Sequence, residues 1–243
     1  MHPKAVDNRR SLSKEVTIFM HKKRGKEFVQ IVTHDLVNKS REQQYLHWFQ
    51  TTLLPKRLGV DGCVSCQHYT LVLGDLPSHL VVYEYFQPEE SVTNPGDAWR
   101  HLCDEAEWPE AAPLFKQGMS RTFSARSHHR PDSASGNSIA GGGMLMVLAD
   151  IDVGLEDEFD EWYEQEHIPE RVALKGAVAA RRFVALKDEP KFLALWEVTS
   201  LDDFTKPDYR FKLPDPPSPW TLRMRRLMSQ SRGVYGLLGD YRH

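Results

Sequence analysis

The chain has 243 residues, 40% of them hydrophobic and 27% charged, with a formal charge of −3. That balance is the one expected of a folded globular chain rather than a disordered one. No apolar run approaches the roughly 18 residues of a membrane span, and the mild acidity gives no general reason to expect nucleic acid.

Residues 1–26, "MHPKAVDNRRSLSKEVTIFMHKKRGK", form a basic extension. They lack the apolar core of a secretory signal, and Asp7 and Glu15 count against a transit peptide, so a cytoplasmic location is expected. Within the extension, "EVTIF" suits an added edge strand.

Residues 27–129 begin with a strand, "EFVQIVTHDL", followed by an amphipathic helix that runs into "HWFQTTLLPKRLGVDG". Two strands come next, "CVSCQHYTLVL" and "LVVYEYF", then an irregular or helical segment and a last strand around "SRTFSARSHH". Cys63, Cys66 and Cys103 are too few for a disulfide framework and fit a reducing compartment. An extended strand would send Cys63 and Cys66 to opposite faces, which favours packing over redox or zinc chemistry for this C-x-x-C.

Residues 130–143, "RPDSASGNSIAGGG", have no apolar period and read as a Gly/Ser-rich linker. Residues 144–243 then repeat the earlier order of signals. A strand ("GMLMVLADIDV") leads to an acidic helix ending near Pro169, two strands ("AARRF", "FLALWEV"), a proline-rich stretch with a short basic helix at "WTLRMRRLM", and a strand at "SRGVYGLLGDY". Glu161–Phe183 aligns without a gap on His47–Tyr69, with Trp162 on Trp48, Pro169 on Pro55, Arg171 on Arg57 and Gly176 on Gly62. The later strands bring Glu197 onto Glu84. The expected class is α+β: two ferredoxin-like βαββαβ repeats packing sheet to sheet as a barrel within one chain, with helices outside and a ligand-sized space inside.

The second half resembles the EthD-like branch of the dimeric α/β-barrel superfamily, through the helix end "WYEQEHIP", the following Gly176, the strand "ARRF" and the strand "LWE". About a hundred residues carry the likeness, and the first half follows it more weakly. The resemblance implies cyclases, decarboxylases, lactone isomerases, cofactor-independent monooxygenases, and haem-degrading or haem-binding enzymes. As a marker of reaction it is weak, because the superfamily's chemistry is scattered.

On the acidic helix, Phe159, Trp162, Tyr163, Glu166 and His167 fall on one face. The aligned residues of the first half are Tyr45, Trp48, Phe49, Thr52 and Leu53, so an apolar stripe becomes polar at its end. Pro169 disfavours helical geometry at Ile168 and places His167 in the final turn. One reading makes His167 a general acid/base, with Tyr163 as its hydrogen-bonding or orienting partner. The other makes His167 a cap on the last carbonyls and Tyr163 ordinary core. With Phe49 and Leu53 unable to do acid/base work, a single active site would belong to the second half.

The candidate substrate-binding residues are Arg182, Glu197, His68, Glu84, Trp162 and His34, with Asp150 of similar standing. A strand carboxylate such as Glu197 should not be buried alone, and Arg182 or His68 are its expected partners. His128 and His129 are expected to be solvated, the carboxylates of "EDEFDEWYEQE" to form a solvated helix face, and no metal ligand set is expected. The reading is a cofactor-independent enzyme acting by proton transfer on a small apolar or aromatic oxygenated metabolite, as cyclase, decarboxylase, dehydratase or isomerase. Two alternatives stand beside it: a haem enzyme with His167, His34 or His68 as axial ligand, and a barrel that binds a small molecule without chemistry. The expected partner is a small-molecule substrate rather than nucleic acid or membrane, in a monomer or a homodimer of pseudo-dimeric chains.

Overall fold

A computed structural model describes residues 25–88, 113–131, 142–174, 176–187, 190–202 and 216–242. The "EVTIF" segment, Cys103, most of the Gly/Ser-rich stretch and most of the proline-rich stretch lie outside the described residues.

The strands follow the alternation in their sequences. In β1 (Gly25–Leu36), Val29 and Ile31 point to one cluster of buried side chains, while Phe28 and Val32 point to another. β2 (Cys63–Gly74), β3 (His79–Pro88) and β4 (Phe115–His129) complete the first half. β5 (Gly143–Ile151), β6 (Ala177–Ala185), β7 (Phe192–Val198) and β8 (Met228–Arg242) form the second. All pairs are antiparallel and close into a barrel in the order β1-β3-β2-β8-β5-β7-β6-β4. The first half's strands therefore lie as β4-β1-β3-β2 and the second half's as β8-β5-β7-β6, joined through β2–β8 and β4–β6.

Side chains of both halves meet inside the barrel. Val29, Ile31, Tyr69, Leu80, Val82 and Phe123 from the first half join Met144, Met146, Leu148, Phe183, Leu193, Leu195 and Tyr235 from the second in one buried cluster.

Helices cover the outside. In the first half, α1 (Glu42–Trp48) passes through a π-helical turn, Phe49–Leu53, into α2 (Leu54–Leu58). In the second, α3 (Glu156–Trp162) passes through a π-helical turn, Tyr163–His167, into α4 (Ile168–Val172). This corrects the expected helix end: Ile168 keeps helical φ −69°, ψ −51°, and His167 lies inside a longer helix. A proline lacks an N–H and its ring crowds the carbonyl four residues back, and the widened turn before Pro169 and Pro55 makes room for that ring. Gly62 and Gly176, each following its helix, have φ of +82° and +93°. A Cβ at Gly62 would stand 2.7 Å from the Phe86 carbonyl oxygen, so this position needs glycine twice over.

The basic helix near the C-terminus is α5 (Pro219–Leu227), with the Ser218 hydroxyl capping the Thr221 N–H. It is clamped to α3: the Trp162 indole donates to Thr221 Oγ1 at 3.0 Å, and Ser218 and Thr221 both donate to the Glu166 carboxylate. The acidic helix is thus not simply solvated. Its carboxylates also pair with Arg126, Arg182, Lys191 and Arg223.

Cys63 and Cys66 are free thiols buried in the same cluster, contrary to the opposite faces expected. A register shift in the β2–β3 ladder between Cys63 and Ser65 adds a residue to β2 and reverses the parity. Among the described residues, no helix is long and apolar enough to cross a membrane.

Candidate functional site

In the second half, the helix packs directly on its sheet. Phe159, Trp162 and Tyr163 are buried against Phe192 and Trp196, with ring centroids 5.0 Å apart for Phe159–Phe192 and 6.5 Å for Tyr163–Trp196. The partly exposed His167 ring stacks on Trp162 at 4.2 Å and meets Tyr163 and Trp196 edge-on at 5.1 Å and 5.6 Å. Arg171, one turn on, donates through Nε to His167 Nε2 at 3.0 Å. That nitrogen is therefore an acceptor, which makes the neutral tautomer the one protonated on Nδ1. Burial, then the charges of Arg171, Arg225 and Arg182, hold the imidazole well below its ordinary pKa. Burial and the three arginines act in the same direction, so the neutral ring is favoured although acidic residues stand beside it in sequence.

Trp162 is fully buried, and its N–H is committed to Thr221, so it supports the site from behind and does not line it. Tyr163 lies under Arg182, whose guanidinium carbon is 4.2 Å from the ring centroid. Arg182 faces the helix: it donates to Asp160 at 2.5 Å and to Glu164 at 2.9 Å. Glu164 also accepts from Ser127 and lies 2.7 Å from His129 Nε2, which therefore has a charged neighbour and is not simply solvated. Asp150, at the end of β5, accepts the Lys191 N–H and serves the β6–β7 connection.

Glu197 does not pair with Arg182 or His68. Successive side chains alternate along β6, so Arg181 points into the barrel and Arg182 out of it. Inside, Arg181 contacts Glu84, and its Nε lies 2.8 Å from Glu197 Oε1. Ser65 Oγ also donates to Glu84, at 2.6 Å. Burial alone would raise the Glu84 carboxyl, but Arg181 and Ser65 together hold it below its ordinary value. Glu84 and Glu197 are therefore brought together as two carboxylates sharing one guanidinium.

His34 and His68 also come together, with a residue that sequence reasoning passed over. β1 and β3 set His34 directly opposite His79, and the rings stack at 5.0 Å with 6° between planes. His68 Nε2 lies 3.1 Å from His79 Nδ1. All three rings are buried between the first half's sheet and α1, against Tyr45, Phe49 and Phe115. One donor nitrogen from each lies within 4.8 Å of the others. Titratable chemistry is thus not confined to the second half. No spacing in the sequence announces this group; only the β1–β3–β2 register reveals it, because His79 opens a strand that pairs with both partners.

No protein family model and no curated relative matches the chain. Solved structures do. An anthrone oxidase-like protein has a TM-score of 0.60 at 12% identity, covering 91% of this chain and 94% of that one. A monooxygenase-like protein from Fusobacterium nucleatum has 0.58 at 12%, covering 89% and 94%. A chlorite dismutase from Candidatus Nitrospira defluvii has 0.57 at 13%, covering 86% and 90%. At such identities the likeness establishes the fold alone, an α+β closed antiparallel barrel, over nearly the whole chain.

Proposed function

We propose that this chain is an oxidative enzyme acting on a small aromatic oxygenated metabolite, with His167 as its base, built from two copies of one ferredoxin-like unit. The observation that carries the reading is the state of His167: a neutral, partly exposed imidazole held by Trp162 and by the Arg171 guanidinium. An imidazole below its ordinary pKa is in base form at neutral pH. A substrate with a phenol, or with an acidic C–H beside a carbonyl, would displace Arg171 from Nε2 and give its proton to that nitrogen. Arg171 would then face the oxygen on which negative charge develops. The carbanion or phenolate passes electrons to dioxygen, and a methylene becomes a carbonyl with one oxygen atom leaving as water. The likeness to anthrone oxidase-like and monooxygenase-like structures favours this oxidative direction over cyclisation or isomerisation.

The two-copy origin is supported by aligned details. Each half has a π-helical turn before its proline and a left-handed glycine after its helix. Aligned arginines lie over aligned rings, Arg57 over Tyr83 at 4.8 Å and Arg171 over Trp196 at 5.6 Å.

Turnover of a phenolic or anthrone-type substrate, followed by oxygen uptake without added cofactor, tests the reading. His167→Gln should lower kcat by about 100-fold or more, in the range usual for a general base, while the fold survives. Unchanged oxygen uptake in that variant would sink the assignment of His167. Oxygen uptake that appears only with an added cofactor would sink the cofactor-free chemistry.

Haem is the second reading, favoured by the whole-chain likeness to chlorite dismutase. His167 supplies a nitrogen, but its Nε2 is taken by Arg171, and Phe159, Trp162, Tyr163 and Trp196 fill the layer between helix and sheet. A porphyrin does not fit that layer with the helix where it stands. A Soret band on adding haem to the chain, lost in His167→Gln, would favour this reading.

A further inference from the structure

We propose that His34, His68 and His79 form a binding site for one divalent transition metal ion of zinc type, in the first half of the chain and apart from His167. Three imidazoles converge from three neighbouring strands, and their candidate donor atoms lie within 4.8 Å of one another. The closest pair, His68 Nε2 and His79 Nδ1, is 3.1 Å apart. Two nitrogens on one tetrahedral zinc stand about 3.3 Å apart, given Zn–N bonds of about 2.05 Å. That pair is already at ligating separation, and the His34 donor, within 4.8 Å of both, has to move closer to ligate.

A purely structural account leaves a remainder. Among the described residues, the three buried imidazoles share one hydrogen bond, between His68 and His79, and His34 Nε2 has no hydrogen-bond partner. A buried polar nitrogen without a partner is unfavourable, and an ion at the convergence point would engage it. The second half shows that the fold does not require histidine here. Its matching strand pair, β5 and β7, sets Ala149 opposite Phe192, and Arg182 aligns with His68.

The surroundings suit a metal. With Nδ1 of His79 turned to the cluster, its Nε2 lies 4.0 Å from the Glu42 carboxylate. That separation is longer than a hydrogen bond, so Glu42 contributes a nearby negative charge, which favours a bound cation. Three nitrogens without thiolate suit zinc, cobalt, nickel or copper rather than magnesium or calcium, and three protein ligands leave one tetrahedral position open.

The test uses the untagged full chain, stripped with chelator and titrated with Co2+ and then Zn2+. One cobalt per chain with the intense visible bands of a tetrahedral site, displaced by one zinc, is the expected result. X-ray absorption of the zinc-loaded protein should show three imidazoles in its first shell, a readout that needs no variant. His79→Asn and His34→Gln should each weaken zinc binding by about 10-fold or more, as loss of even a supporting ligand contact does. Absence of saturable binding in the native chain, fewer than three imidazoles around zinc, or unchanged affinity in folded variants would each overturn the site.

Discussion

Arg181 holds its Nε 2.8 Å from the Glu197 carboxylate inside the barrel and reaches Glu84 with Nη1, so one side chain ties the second half to the first. Glu197 is 2% exposed, and removing the guanidinium beside it would strand a buried charge. Arg181→Met should therefore destabilise the fold by about 3 to 5 kcal/mol, and adding Glu197→Gln should recover part of it. Chemical denaturation of the single and double variants measures both. Equal losses from the single and double changes would mean that the pair is not coupled.

His167 makes stability depend on pH. Its folded-state pKa is depressed by burial and by Arg171, Arg225 and Arg182, whereas the unfolded chain binds a proton near pH 6.5. Between those values the unfolded state holds more protons, so stability falls as pH falls below about 6.5, by at most about 1.4 kcal/mol per pH unit from this group. His167→Gln should flatten the decline in urea midpoint between pH 7 and pH 5. Identical slopes in the two proteins would contradict the depressed pKa.

Arg182 should be hard to replace. Its side chain is 3% exposed, bridges Asp160 and Glu164, and lies over the Tyr163 ring. Its carboxylate partners are more exposed and can rehydrate, so Arg182→Met should cost about 2 kcal/mol, below the range for fully buried pairs. Arg182→Lys should restore little, because an ammonium neither spans two carboxylates nor stacks on the ring. Melting curves for the two variants decide this, and a lysine variant as stable as the native chain would refute the bridging role.

The two strand cysteines should be inert. Burial pushes the Cys63 thiol up to about 11 and raises Cys66 further in the same direction. Only the thiolate reacts, so the native chain at neutral pH should leave both unlabelled by iodoacetamide, with labelling appearing on unfolding. Peptide mapping by mass spectrometry reads this directly, and rapid labelling of either in the folded chain would show that the cluster around them opens.

The sequence by itself determined the order of the elements, because that order is written in local signals: alternation in the strands, a 3.6-residue stripe in the helices, and paired glycines and prolines. Gly62 and Gly176, aligned in the sequence, both take positive φ in the structure, a backbone requirement that acts on one residue at a time. The sequence also made His167 a candidate, through a leucine-to-histidine contrast within the chain. The helix end was misread because the proline rule describes an α-turn, and a π-turn relieves the same clash. Tertiary structure alone decided which charged groups meet. The alternation that separates Arg181 from Arg182 has a known period, but its phase is set by which face the barrel closes around. The added residue at Cys63–Ser65 reversed that phase again in β2. His34 and His79 are forty-five positions apart, and only the antiparallel register of β1 and β3 makes them neighbours. Register is a property of a pair of strands and of the face they bury, so neither strand carries it alone.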